Sequence, residues 1–240
     1  LFKTAPGKGR LPLYEGKMIW QFEHQLAHPR YWVDEQAGRK ALLGRTSDEG
    51  QQLAYQGYRL GHRSVASSTN ERTMIATILP PRTFFGNSIH ATKARADGAV
   101  LLFATGVLNS FVCDYSLRSS VSQNLTMFFI YQLPVPRLTE KDAAFRPIVE
   151  RAARLICTTP EFDDLAQEIF SGQANAASVG ATVPAERAKL RAELDGLVAH
   201  LYGLTEEEFA HILTTFPLVS DEVKIAAHNA FRNVERGLVK

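Results

Sequence analysis

The sequence lacks the features that mark membrane, secreted and disulfide-rich proteins. It has no apolar run of the about 18 residues that a spanning helix needs, and its first residues, LFKTAPGKGR, have no apolar core like that of a secretory signal. The only cysteines are Cys113 and Cys157, both inside apolar periodic segments. This pattern predicts reduced, buried thiols and no disulfide framework. We therefore expect a cytoplasmic protein that makes no membrane contact.

Catalytic motifs are lacking as well. Gly7 and Gly9 are not preceded by a strand, so they do not form a phosphate-binding loop. There is no Gly-x-Ser-x-Gly, His-Glu-x-x-His or Cys-x-x-Cys. His24 and His28 have the spacing of a helical metal pair, but Pro29 follows directly and a strand pattern precedes them. We predict no catalytic residue, metal or cofactor in this chain.

The chain does hold enough apolar material for a sizeable core. It has 240 residues, of which 45% are hydrophobic. Charge is unevenly placed: residues 1–95 hold 14 Lys and Arg against 7 Asp and Glu, and the remainder holds 13 against 18. This asymmetry indicates that the first part meets a polyanion, while an ordinary solvated surface is the alternative.

The stretch at 58–88 organises the first half. Thr73–Leu79 is apolar in both phases of a strand, which predicts a central strand buried on both faces. The preceding run from Arg59 to Val65 alternates and is predicted to hold cations at a surface beside that strand. Further strands are predicted at 17–23, 31–34 and 84–90, with a connection at 35–49.

From Asp97 the apolar period becomes helical. One kinked helix or two short helices are predicted to about residue 115, with Asn109 starting the second, and 125–136 (LTMFFIYQLPVP) is predicted to be a buried strand. Helices then begin near Pro160, before Leu190, at Thr205 and at Ser220, separated by a small, polar loop at 171–182. The predicted fold is α/β (α+β): a linker at 1–10, a mixed-sheet domain at 11–137 and a helical domain at 138–240.

Cations, amides and hydroxyls of the first half suit a DNA duplex, because phosphates attract cations and hydroxyls while Arg, Lys, Asn and Gln read base edges. Trp20 and Phe84, at strand spacing, are predicted to be core. For 70–72 the alternative is a structural turn in which Glu71 and Arg72 pair with each other or with neighbours. The predicted DNA contacts are Lys17, Gln21, Arg59, Arg63, Asn70, Arg72, Arg82 and Asn87.

Four ordered blocks carry a resemblance to a known family. They are LPLYEGKMIWQFEH, YRLGHRSVASSTNERTMIATILPPRTFFGNS, LLFATGVLNSFVCDYSLRSSVSQNLTMFFIYQLPVP and AELDGLVAHLYGLTEEEFAHILTTFP. Together they resemble the target-recognition region that follows the catalytic domain in large adenine-specific DNA methyltransferases of type IIG and related restriction-modification systems. The match covers roughly residues 11 to 217. One departure is at 118–127, where relatives often have a Gly-Gly-Thr-rich turn.

The resemblance implies a division of labour. A catalytic domain of the same polypeptide, expected before Leu1, would bind S-adenosylmethionine and receive the adenine that is flipped out of the duplex. The present chain would hold double-stranded DNA and read the sequence around the target base. Two alternatives remain: a protein-interaction scaffold of a phage-defence complex, and a hydrolase that uses Glu23, His24 and His28.

Overall fold

A computed structural model describes residues 2–67, 70–93, 96–121 and 124–239. The strands are β1 Phe2–Lys3, β2 Arg10–Tyr14, β3 Tyr31–Asp34, β4 Arg59–Arg63, β5 Ala76–Leu79, β6 Phe84–Phe85 and β7 Ile89–Ala91. The α-helices are α1 Glu35–Leu43, α2 Gly98–Leu108, α3 Phe111–Arg118, α4 Met127–Gln132, α5 Phe145–Ile156, α6 Asp163–Phe170, α7 Ala176–Val179, α8 Pro184–Leu201, α9 Glu206–Thr214 and α10 Asp221–Glu235. Short 3-10 turns cover Gly16–Met18, Ala54–Gln56 and Pro160–Phe162. The α+β fold class is as predicted.

The strands form two small sheets. One has the order β1-β3-β2-β6, in which β2 pairs antiparallel with β3 and parallel with β6. The other has the order β5-β4-β7 and is antiparallel throughout. Because β6 and β7 belong to different sheets, the single strand predicted at 84–90 is wrong: the chain crosses from one sheet to the other between them.

The buried strand β5 is confirmed, since all four of its residues are buried. It is not the central strand, however, because β4 takes that place and β5 lies at the edge. The side-chain amide of Asn109 closes this edge: Ala76 N donates to Oδ1 at 3.0 Å, and Nδ2 donates to Ala76 O at 2.8 Å. The Asn109 side chain, at the junction of α2 and α3, thus forms hydrogen bonds that a neighbouring strand would otherwise form. The pattern of apolar residues does not predict such a contact.

Two predictions about the first 50 residues are wrong. The segment predicted as a strand at 17–23 starts as a 3-10 turn and then bends, with Phe22 at a φ of 61°. Three of its apolar residues are still buried: Met18 and Ile19 are 0% exposed and Phe22 is 5% exposed. The predicted connection at 35–49 contains α1, whose first turn is capped by Asp34 accepting from Ala37 N at 3.0 Å.

The strand predicted at 125–136 is also wrong. Residues Met127–Gln132 form α4, which has no buried residue. Phe129 and Ile130 pack partly against the core, whereas Phe128 and Tyr131 are 65% and 79% exposed. A short apolar run fits strand and helix alike, so its sequence pattern does not decide between them.

The helical second half follows its capping signals. Thr205 and Glu208 form the predicted capping box, with Glu208 N donating to Thr205 Oγ1 at 3.2 Å, and Ser220 caps α10. Gly203 ends the α8 segment at a φ of 68°. The second helix after Asp97 begins one residue later than predicted, with Ser110 as its cap, and the loop at 171–182 contains the short helix α7.

One buried core runs through both predicted domains. It joins Phe22 and Leu60 of the sheet half to Phe209 and Phe231 of the helical half, and α2 packs on β4 and β5 as well as on α5. Within the described ranges no single helix has the length and apolar composition to cross a membrane. Taken together, α2 and α3 have that length and composition, but the chain bends by 62° between the two helices.

Candidate nucleic-acid interface

Three segments meet where the two sheets join. Gly16 N donates to Ser88 Oγ at 2.9 Å, Ser64 N donates to Ser88 O at 3.0 Å, and Ser64 Oγ donates to Asn87 O at 2.9 Å. The accessible residues on these segments define what we call the junction surface: Lys17, Trp20, Arg63, Val65 and Asn87. Hydrogen bonds therefore connect the three segments to one another.

Arg63 is the best-positioned cation of the junction surface. Its Nε and Nη2 donate to Ile19 O at 2.9 and 2.5 Å, and its guanidinium carbon lies 4.9 Å from the centroid of the Trp20 ring. Partial burial lowers the pKa of Arg63, but an arginine stays charged at neutral pH. Among the described residues no carboxylate lies within ion-pair distance of it. The charge is therefore oriented and not neutralised.

The other members of the junction surface are more open. Lys17 and Asn87 are exposed, although Lys17 Nζ lies 3.8 Å from Glu15 Oε2. Val65 is 64% exposed and bridges to Asn124, while Leu125 N donates to Ser64 O at 2.8 Å. The start of α4 is thereby attached to the same region.

Arg59 and Arg82 lie at the opposite end of β4. Four strand steps separate Arg59 from Arg63, roughly 13 Å. Arg59 is buried, donates from Nη2 to Thr83 O at 2.6 Å and has its pKa lowered to about 10 by burial. Arg82 is exposed and its Nη2 lies 2.8 Å from Glu35 Oε2. These two arginines are not part of the junction surface.

Gln21 and Arg72 are interior residues. Gln21 Nε2 donates to Met74 O at 2.9 Å and to Asn109 O at 3.2 Å. Arg72 Nε lies 3.0 Å from Asp114 Oδ2, and Nη2 donates to Asn109 O. Burial raises the pKa of Asp114, and the Arg72 guanidinium opposes that rise. For Arg72 the structure supports the alternative of pairing with a neighbour.

Asn70 is exposed, and its carbonyl accepts from Arg118 Nη2 at 2.6 Å. Of the eight predicted contacts, the fold brings Lys17, Arg63 and Asn87 together, leaves Asn70 and Arg82 accessible elsewhere and buries Gln21, Arg59 and Arg72. A duplex cannot reach the buried three in this conformation. Four residues lie outside the described part of the chain: Ser68 and Thr69, whose hydroxyls belong to the predicted DNA surface, and Ser122 and Gln123, which lie in the segment 118–127 that departs from the family pattern.

Phe84, predicted to be core, is confirmed: it is 7% exposed and stacks on Tyr55 with centroids 4.9 Å apart. Trp20 is half-buried and belongs to the junction surface. The sequence did not predict that Asn109 pairs with β5 or that Asp114 pairs with Arg72. No signal in the sequence identifies them, since Asn109 reads as a helix cap and Asp114 is one acidic residue in an apolar helix.

The residues of the hydrolase alternative do not converge. His24 is buried with its ring edge on Phe162, His28 is exposed, and Glu23 pairs with Arg187 Nη2 at 2.8 Å. No group of three or more potential metal ligands occurs in the described part of the chain. Cys113 and Cys157 are buried free thiols whose pKa burial raises to about 12, so neither is poised as a nucleophile.

Comparisons with known proteins give one distant likeness. No family model and no curated protein matches the chain. A solved structure that matches is described as the type IIL restriction-modification enzyme MmeI in complex with DNA, at 14% identity and a TM-score of 0.47, covering 95% of this chain and 31% of that one. The chain thus spans less than a third of that protein. At this identity and TM-score the likeness transfers no function, and the proposal for this chain rests on its own residues.

Proposed function

We propose that this chain is the sequence-specific double-stranded DNA recognition module of an adenine DNA methyltransferase or restriction-modification enzyme. It would position the duplex for a separate catalytic domain that binds S-adenosylmethionine. Four ordered sequence blocks support the family. The observation that carries the DNA role is Arg63, an oriented guanidinium without a carboxylate partner among the described residues, beside the exposed Lys17 and Asn87.

Arg63 suits base reading better than simple charge attraction. Two donors of its guanidinium are fixed on Ile19 O and its plane is held near Trp20, so Nη1 keeps a defined direction. A fixed arginine donor is what contact with an acceptor on a guanine edge requires, while flexible lysines suffice for phosphates. In the proposal Lys17 therefore contacts the backbone, and Asn87 lies where an amide can meet a base or a sugar.

A salt series with a random duplex library tests this proposal. The wild-type chain should select a preferred sequence, and its affinity should fall steeply as salt rises. Arg63→Ala should lower the free energy of discrimination between bases at one position by about 1–3 kcal/mol, and most of the non-specific binding should remain. Arg236→Ala is the matched control, because Arg236 is an exposed arginine at the far end of α10. Affinity that does not depend on salt would remove the basis of the proposal.

A protein-interaction role is the second candidate, and α4 favours it. Phe128 and Tyr131 project from a helix that has no buried residue, and exposed aromatic side chains are typical of protein contacts. Among the described residues, the predicted cationic contacts also form separate groups, since Lys17 and Arg63 lie away from Arg59 and Arg82. Combined Phe128→Ser and Tyr131→Ser substitutions decide between the roles: a scaffold would lose its partner and DNA binding would be unchanged. Loss of duplex binding instead would place α4 in the DNA interface.

A further inference from the structure

The orientation of Arg63 depends on a tight turn formed by residues 20–23. Trp20 N donates to Glu23 O at 2.9 Å, and Glu23 N donates to Trp20 O at 3.1 Å. The main-chain acceptor of Arg63, Ile19 O, directly precedes this turn, and the ring that the guanidinium faces belongs to its first residue. The position of the turn therefore sets the direction of the Arg63 side chain.

The turn is strained at Phe22. Its φ is 61°, in the left-handed region that bulky side chains rarely adopt and that Gly or Asn usually occupies at the third position of a tight turn. Such a backbone persists only where the surrounding contacts hold it. On one side the sheet half supplies them: Phe22 N donates to Ala76 O at 3.1 Å, and Gln21 Nε2 donates to Met74 O at 2.9 Å.

On the other side the turn is held by Arg187 of α8. Arg187 Nη2 donates to Glu23 Oε2 at 2.8 Å and to Phe22 O at 3.4 Å. Its Nη1 donates to Leu155 O and Ala181 O, each at 2.8 Å. The guanidinium is thus bound to the main chain of the helical half and, through its second nitrogen, to the turn.

The turn also has space beside it. A cavity of about 310 Å³ is lined by Trp20, Gln21 and Phe22 together with residues of α8 and α10. Where no protein atom opposes a segment, packing does not fix its position in that direction. The polar contacts with both halves are therefore what keeps the strained turn in place.

We propose that Glu23 and Arg187 are positioning residues for DNA reading. Their ion pair holds the turn at 20–23, and the turn orients Arg63 toward the base that it contacts. The inference rests on the proposed function of Arg63 and goes beyond it, because it makes the helical half a determinant of sequence selectivity and not only a spacer or a dock. Glu23 acts through Arg63 and needs no contact with the duplex.

Selection from a random duplex library by Glu23→Ala tests the inference. The preference at the base position that Arg63 reads should fall about fivefold or more, since a displaced guanidinium loses its contact with the base edge. Non-specific affinity should stay close to that of wild type. The variant should fold, because the Glu23 side chain is 30% exposed and Arg187 keeps its three carbonyl acceptors. Glu23→Gln retains an oxygen acceptor for Arg187 and should restore most of the preference.

Glu193→Ala is the matched control. Glu193 also lies on α8, and its Oε2 is 2.7 Å from Arg151 Nε, with side chains 12% and 15% exposed. The substitution removes the same charge and a comparable ion pair, but no contact with the turn. Urea denaturation of both variants measures any loss of stability. An equal fall of preference in Glu193→Ala would contradict the inference, because a general effect of charge or stability would then explain it.

A double-mutant cycle separates a positioning role from a merely structural one. In an Arg63→Ala background, Glu23→Ala should cause no further loss of preference at that base position, because its effect passes through Arg63. Additive losses would show that Glu23 acts by another route and would overturn the inference.

Trp20 reports on the turn in the absence of DNA. The chain has two tryptophans, so Trp32→Phe leaves Trp20 as the single emitter. In this background Glu23→Ala should shift the emission of Trp20 and increase its quenching by acrylamide, whereas Glu193→Ala should do neither. Unchanged emission and quenching in Glu23→Ala would mean that the ion pair does not hold the turn.

The outcomes distinguish this inference from the proposed function. A wild-type chain without any sequence preference would overturn the role of Arg63 and the inference that rests on it. A selective wild-type chain whose preference survives in Glu23→Ala would overturn the positioning role alone and leave Arg63 as the reading residue.

Discussion

Arg72 and Asp114 form an ion pair inside the protein, where neither side chain is more than 7% exposed. The Arg72 guanidinium carbon lies 4.0 Å from the Phe111 ring centroid and 5.5 Å from that of Phe216. Asp114 also accepts from Thr73 N at 3.1 Å, so the pair fixes the entry to β5. A pair in this setting matters most when one partner is removed, because the other is left as a buried charge.

Arg72→Ala should therefore lower the free energy of unfolding by about 3–5 kcal/mol. Urea denaturation measures the change, with Arg236→Ala as a control expected to stay within about 0.5 kcal/mol of wild type. A small loss of stability together with a large loss of DNA selectivity would instead indicate that Arg72 contacts DNA bases.

His62 makes stability depend on pH. Its Nδ1 lies 3.0 Å from Arg63 O, and since a carbonyl only accepts, Nδ1 carries the proton. Nε2 is buried and has no partner in the part of the chain that the structure describes. Burial lowers the pKa of His62 to about 4 from an ordinary value of 6.5. Protonation of Nε2 in the folded state would create a buried N–H without an acceptor.

As the pH falls, the unfolded chain binds this proton at a higher pH than the folded protein does. The contribution of His62 to the free energy of unfolding is therefore complete above pH 6.5 and is lost as the pH falls from 6.5 to 4. The loss should reach about 2–3 kcal/mol. Unfolding free energies of wild type and His62→Gln between pH 7.5 and 4 test this, and His62→Gln should show the shallower dependence. Parallel curves would mean that His62 titrates normally in the folded protein.

At the scale of elements, the contact between α8 and α10 depends on Gly196. A Cβ built there would lie 2.8 Å from both Ala230 C and Phe231 N, so the backbones themselves are in contact. Gly196→Ala should lower the free energy of unfolding by about 1–3 kcal/mol, although alanine is the better helix former.

Gly57→Ala is the control for this effect of added volume. A Cβ at Gly57 meets nothing within 4 Å, and its φ of −124° is open to any residue. Thermal and urea unfolding of both variants should show a loss only for Gly196→Ala. Equal stability of the two variants would mean that α10 can move outward at little cost.

At the scale of the whole molecule, the shared core predicts joint unfolding of the two predicted domains. Buried residues from Phe22 to Phe231 form one cluster, and β5, α2 and α5 are packed in series across the boundary at residue 137. Calorimetry should give one transition whose van't Hoff enthalpy equals the calorimetric enthalpy. Two resolved transitions would instead support independent folding of 11–137 and 138–240.

The sequence by itself determined the elements that local physics controls. The capping box at Thr205, the cap at Ser220 and the end of the α8 segment at Gly203 each depend on residues within one turn, so their patterns predicted the helices. The run at β5 was long and apolar enough to predict a buried strand. The same reasoning failed for α4, because a short apolar run does not distinguish strand from helix.

Only the tertiary structure decided which cations are available. Arg72 and Arg63 look alike in the sequence. Arg72 meets a carboxylate 42 residues away, whereas the partners of Arg63 among the described residues are a main-chain carbonyl and an aromatic ring. Whether an arginine stabilises the core or stays available to a ligand depends on the partner of its guanidinium. That partner is determined by packing between residues that are far apart in the sequence, which no local pattern encodes.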